Sequence, residues 1–281
     1  MRTDLPIAAI ALILAAPVGA LAAAPTDVAE ERTKKRLVEK TPGQDAPLSL
    51  AAELGTALTR GNTETMHLHA DARLVWVPAT RWVSTTVGRA LYEQSKEVEV
   101  ANAWSLLQRA DRFVSDTVSL FAAAGIERNI FAGIDRRESG QLGVSFLVLD
   151  RRDAARGDLV TDRLDVEVGG YGALEHRALP PDAAPGTALD DREIEILAAR
   201  VAATYRHAFE KGSEVGLSIE EIEDFLDFDN RVISTTAYAA SALTEGLSIK
   251  LSASHRYDNV PASPELEKSD LLITGGVVVS L

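Results

Sequence analysis

The chain has no cysteine in 281 residues. It therefore has no disulfide framework, no thiolate metal site and no cysteine nucleophile. It also lacks a basic excess: 29 Lys and Arg stand against 42 Asp and Glu, a formal charge of -13. Nucleic acid is excluded as a partner on that ground, because phosphate binding needs a basic footprint. Beyond the first two dozen residues no stretch is long and apolar enough for a membrane helix, which needs about 20 such residues. Aromatics are sparse at 5%, few for a barrel with two aromatic girdles. At 46%, the hydrophobic content is far below that of a helical membrane protein, yet suits strands that alternate apolar and polar residues.

Residues 1–22 have the form of a secretory signal. Arg2 gives a charged start, residues 6–17 are apolar but short, and Ala20-Leu21-Ala22 supplies small residues at a cleavage site. Residues 23–47 are charged and punctuated by proline, and they read as a flexible periplasmic leader, with a short helix over 28–39 as the alternative.

From Leu48 onward the periodicity changes to two. In MHLHADARLVWV, Met66, Leu68, Ala70, Ala72, Leu74 and Trp76 alternate with His67, His69, Asp71 and Arg73. One face is oily and the other wet. LSLAAELGTALT does the same before the turn, and Gly61-Asn62 supplies the positive φ that a hairpin needs. The pattern recurs over 82–94, 101–115, 117–128, 137–149, 159–176, 191–208, 213–222, 230–243, 246–258 and 270–281. That makes about twelve strands, each long enough for the roughly 9–11 residues of a tilted transmembrane strand. The faces of 82–94, 101–115 and 230–243 are ambiguous. Connections tend to alternate too. PATR, Ser115-Asp116, EKGS and TEG are tight, with RRDAARGD a longer member, while KEVEVA, NIFAGIDRR, ALPPDAAPGTALDD, EIEDFLDFD and NVPASPELEKSD are mostly longer and RGNTET is short. Short periplasmic turns and longer external loops characterise an outer-membrane barrel. The final DLLITGGVVVSL suits recognition by a barrel-assembly machine, although Leu281 stands where an aromatic is usual. The expected fold is all-β, an antiparallel up-and-down transmembrane barrel over 48–281.

The stretch ELGTALTRGNTET, the WVPATRW turn, the GYG at 170–172, RHAFEKGSEVGLSIE and the terminal KSDLLITGGVVVSL together resemble the YdiY-like putative salt-induced outer-membrane proteins, a domain family of unknown function. The resemblance spans about 48–281, and its most specific piece is the turn motif containing Gly61, Asn62 and Thr63. It implies an outer-membrane barrel associated with salt or envelope stress, and it assigns no catalytic residue.

The wet faces carry the candidate site residues. Glu53, His67, His69, Asp71, Arg73, Asp165, Glu167, Lys250 and Arg256 are expected to face the lumen, as are Glu127, Glu175, Arg89, Arg200 and Arg206. Such charges either line a selective pore or pair into a plug, and about twelve strands lie between filled and open barrels, with the plug preferred. His67, His69 and Asp71 at alternate positions have metal-binding character, but a polar wall with Arg73 pairing Asp71 is the simpler reading, so no metal and no cofactor is assigned. The serines at 115, 119, 139, 145, 213 and 218 and the histidines at 176, 207 and 255 form neither G-x-S-x-G nor H-E-x-x-H, and the chain is read as a non-enzyme. Trp76 and Trp82 around PATR have the spacing of a girdle fragment. EIEDFLDFD lacks calcium-loop spacing and reads as a solvated acidic loop. The resulting expectation is a monomeric barrel whose partners are outer-membrane lipid and the assembly machinery. Its role is envelope integrity or passive passage of small polar solutes. A barrel-embedded hydrolase acting on lipid or peptide and a soluble periplasmic lipid-binding barrel are the alternatives.

Overall fold

Strands with an oily and a wet face have two ways to satisfy both, and closure into a ring is the one that leaves no unpaired edge. The protein takes it. The structure is a computed structural model that describes residues 48–59, 65–95, 98–129, 133–153, 159–177, 193–209, 213–244, 246–261 and 268–280. Twelve strands run in order: β1 (Leu48–Thr59), β2 (Thr65–Ala79), β3 (Trp82–Ser95), β4 (Val98–Phe113), β5 (Val118–Asn129), β6 (Ile134–Asp153), β7 (Leu159–Arg177), β8 (Glu193–Ala208), β9 (Ser213–Asp224), β10 (Arg231–Thr244), β11 (Leu247–Asp258) and β12 (Ser269–Ser280). Each pairs antiparallel with its sequence neighbours, and β1 pairs with β12 to close the barrel. The closing seam is the shortest ladder, from Ala51↔Ser280 to Leu54↔Val277.

Several strands begin or end away from the bounds of their sequence pattern. β4 begins at Val98, so most of KEVEVA is strand, with Val98 opposite Ser95 and Glu99 opposite Gln94. β6 runs from Ile134 to Asp153 and takes in the ends of both NIFAGIDRR and RRDAARGD. Its partner β7 is almost as long. Bulges in this pair at Ile134/Arg136, Leu147/Leu149 and Arg151/Arg152 keep the long ribbon in register while it twists. Residues 1–47 and the turn motif at Gly61, Asn62 and Thr63 lie outside the described residues.

Polarity is inverted relative to a water-soluble protein. On β2, Leu68, Leu74 and Trp76 are exposed, whereas His69 and Val75 between them are buried. The same rule gives an outer surface of Leu54, Leu142, Val168, Leu197, Leu251 and Ile273, and an interior of Arg109, Asp111, Arg163, Asp165, Arg200 and Glu220. Trp76, Trp82, Phe146 and Phe209 are exposed toward the rim that carries the chain ends, and Phe225 and Phe228 at the opposite rim. Where polar residues face outward, they satisfy each other: Thr86 donates to Gln108 at 2.6 Å, and Gln108 donates to Ser84 at 2.8 Å. Such pairing lowers the cost of facing hydrocarbon.

Three glycines in strand interiors share one explanation. Gly55 stands in register with His69, Gly143 with Phe121 and Gly216 with Tyr238. In each case the ring lies over the glycine: an added Cβ would sit 1.8 Å from His69 Cε1, 2.7 Å from Phe121 Cε1 and 2.1 Å from Tyr238 Cε1. Flat rings across the strand need a partner without a side chain. Phe121 and Tyr238 are thereby held against the wall instead of projecting across the interior. The tight turn after β2 places Arg81 at φ 67, and the adjoining strand holds it there: Arg81 O accepts from Phe113 N at 2.8 Å and Arg81 Nη1 donates to Val114 O at 3.1 Å.

Candidate functional site: the charged interior

The interior is built from wet-face residues, and its largest feature joins strands that are not neighbours. Arg109 on β4 donates to Asp111 on its own strand through Nε and Nη2, both at 2.8 Å. It also donates to Glu167 on β7 through Nη1 at 3.1 Å and Nη2 at 2.8 Å. Arg200 on β8 donates to Glu167 at 3.0 Å and to Glu220 on β9 at 2.5 Å. Phe121 of β5 supplies the floor, with the Arg109 guanidinium 3.9 Å and the Arg200 guanidinium 5.8 Å from its ring centroid. The result is a brace from β4 to β9 that cuts across the ring. Arg109, Asp111, Arg200 and the adjacent Ser145 are all buried, Ser145 completely. Planar guanidinium groups suit this role, since each can grip two carboxylates at fixed angles.

Smaller clusters flank the brace. Toward the long-loop rim Arg137 donates to Glu127 at 2.6 Å and, through Nε, to Glu175 at 2.9 Å, which also accepts from Arg177 at 3.2 Å. On β7 Arg163 grips Asp165 at 2.6 and 3.1 Å. Across the closing seam Lys250 of β11 donates to Glu53 of β1 at 2.9 Å, and His69 Nε2 lies 3.5 Å from the same carboxylate. Asp71 takes Arg89 of the neighbouring strand at 3.2 Å. Arg256 donates to Asp258 at 3.3 Å, and Arg206 to Glu214 at 3.2 Å. Arg73 is half-buried on the same face as His69. The backbone of His67 pairs with Ala57, and its side chain lies outside the described residues.

Glu53, His69 and Asp71 each offer a ligand atom within 4.8 Å of the others. A cation there would have to displace both Lys250 and Arg89, which already hold the two carboxylates. His207 Nδ1 lies 2.8 Å from Asp162, as in a catalytic dyad, but its further neighbours are the Phe209 ring at 4.5 Å and Tyr205, whose hydroxyl donates to Asp162 at 2.7 Å. The acidic loop after β9 turns its carboxylates on its own backbone: Asp224 accepts from Leu226 N and Asp227 from Asp229 N.

Arg109, Asp111, Arg137, Arg163 and Glu220 escaped the sequence reading. Arg163 was open to it, being two residues from Asp165 on the same face. Arg109 and Asp111 sit on β4, where consecutive apolar residues Leu106 and Leu107 blur the alternation.

A closed antiparallel barrel of twelve strands, charged within and apolar without, is a transmembrane β-barrel by class. Over residues 52–281 the chain belongs to the family described as protein of unknown function DUF481. None of the curated proteins matches it. Among solved structures it is similar to the NanC porin (5% identity, 82% of this chain and 98% of that chain, TM-score 0.47) and the KdgM porin (8%, 83% and 99%, 0.44). It is similar as well to the translocator domain of the autotransporter NalP from Neisseria meningitidis (12%, 92% and 97%, 0.43).

Proposed function

We propose that the protein sits in the bacterial outer membrane as a constricted pore for small polar solutes. The observation that carries this reading is the inverted burial. Guanidinium and carboxylate groups are paired inside, while Leu142, Val148, Leu251 and Leu54 are exposed on the outside. A soluble lipid-binding barrel would need the opposite arrangement, an oily interior and a charged exterior. A barrel interior that holds this much charge is hydrated at its mouths, and it offers a polar route across the bilayer. The brace narrows that route, so conductance is small compared with open barrels of about 16–18 strands. Lipid is the partner of the outer face, the assembly machinery acts during biogenesis, and the barrel works as a monomer. The association with salt or envelope stress that the resemblance implies calls for expression and deletion tests at raised osmolarity.

The test is reconstitution of purified protein into planar bilayers and liposomes. Small discrete conductance steps, abolished by heat denaturation, are expected. A protein that stays in the aqueous phase, or one that enters bilayers and passes neither ions nor small solutes, overturns the proposal.

A further inference from the structure

The interior is filled unevenly. Beside the brace, the inner faces of β4 and β7–β9 are closed off: Arg109, Asp111, Glu167, Ala202, Ser218 and Glu220 are all buried. The wall formed by β10–β12 has a different character. Its inner face carries Ser234, Thr236, Ser254 and Thr274, half-buried although small, around Ser252 and Arg256, which are buried, and Gly276, which Glu53 covers. Register places them side by side: Thr236 opposite Ser254, Ser252 opposite Thr274, and Lys250 opposite Gly276. The hydroxyls form short cross-strand ladders, Thr236 with Ser254 at 3.1 Å and Ser252 with Thr274 at 3.3 Å. Tyr238, the one large ring on this face among the described residues, is laid down on Gly216 and tied to Glu214 at 3.1 Å, which keeps it out of the way. The cations beside the ladder are neutralised locally, Lys250 by Glu53 and Arg256 by Asp258.

Resting on the pore reading above, we infer that permeation runs along the β10–β12 wall and that its solutes are small neutral polyhydroxyl compounds. A brace across one sector leaves the open space in the other. Hydroxyls that can both donate and accept replace the hydration of a polyol without imposing a charge preference. Wall cations already matched by carboxylates give an anion no net attraction.

The natural absence of cysteine makes the test direct. Thr236→Cys and Ser254→Cys place a thiol on the proposed route, and Ser119→Cys and Ser145→Cys place one beside the brace. Liposomes containing each variant are swollen in glycerol, in erythritol and in a size-matched carboxylate salt, before and after a bulky water-soluble methanethiosulfonate. Swelling by the untreated variants shows that they are assembled. Reagent should slow polyol entry at least fivefold at 236 and 254 and leave 119 and 145 within twofold. Polyols should enter faster than the carboxylate. Equal slowing at all four positions, or slowing only at 119 and 145, overturns the route. Faster entry of the carboxylate overturns the solute class. No flux through the wild type refutes the pore reading itself, a result distinct from either.

Discussion

Removing Arg109 tests the brace most severely. The guanidinium is buried, and it makes two bonds to Asp111 and two to Glu167 while covering the Phe121 ring. In Arg109→Met the methionine fills much of the volume, but Asp111 and Glu167 each lose two charge-assisted bonds, while the contacts of Asp111 with Ser119 at 3.4 Å and of Glu167 with Arg200 stay. Stripping one partner from a buried ion pair costs about 3–5 kcal/mol. The lost guanidinium–ring contact adds about 0.5–2 kcal/mol. A total near 5 kcal/mol is therefore expected, more than a thousandfold in the folding equilibrium. Urea unfolding from lipid vesicles measures it, followed by fluorescence of Trp76, Trp82 and Trp104 on β2 to β4. Arg136→Met is the control, because the exposed Arg136–Glu138 pair at 3.4 Å should be worth at most about 1 kcal/mol. Combining Arg109→Met with Asp111→Ala should recover part of the loss, since the buried carboxylate that lost its guanidinium is then gone. A cost for Arg109→Met no larger than that of Arg136→Met would refute the reasoning. It would mean that water already solvates the network and that the brace is not dry.

Other perturbations address the outer face, the glycine seats and the leader. Leu142→Arg, on the exposed middle of β6, should cost about 2–4 kcal/mol in vesicles, whereas Ala72→Trp on the same outer surface should cost less than about 1 kcal/mol; the reverse order in urea titrations would place the oily face inward. Gly216→Val should displace Tyr238, since even a Cβ would lie 2.1 Å from its ring, and lower the free energy of unfolding in urea titrations by about 1–3 kcal/mol, with Tyr238→Ala in the same chain restoring most of it. Mass spectrometry of envelope-derived protein should place the mature N-terminus between residues 21 and 25, as Ala20-Leu21-Ala22 predicts, and an intact Met1 would contradict it.

The sequence by itself determined the strand number, the antiparallel order and, where alternation is clean, the face of each residue. It could do so because a side chain on a strand has only two directions, and a period of two records which one. On β2 and β11 the oily residues Leu68, Leu74, Ile249 and Leu251 are the exposed ones, with His69 and Ser252 buried. The rule weakens on β3, β4 and β10, for reasons visible only in three dimensions. The inner face of β3 carries Val83, Val87 and Leu91, all buried, while Ser84 and Thr86 lie on the other face. Apolar residues are tolerated inside there because the interior is packed, and polar ones outside because Gln108 satisfies them. On β10, Tyr238 apart, the central residues of both faces are small, with Ala237 and Ala239 outside and Thr236 and Ala240 inside, so there is little contrast to read. Tertiary structure alone decided which charges meet. Arg109 and Glu167 are 58 positions apart, on strands separated by two others. Alternation fixes the face of a residue but carries nothing about its height on the barrel or its bearing around the ring. Those follow from strand tilt and closure, which place the brace on one side of the interior and the hydroxyl wall on the other.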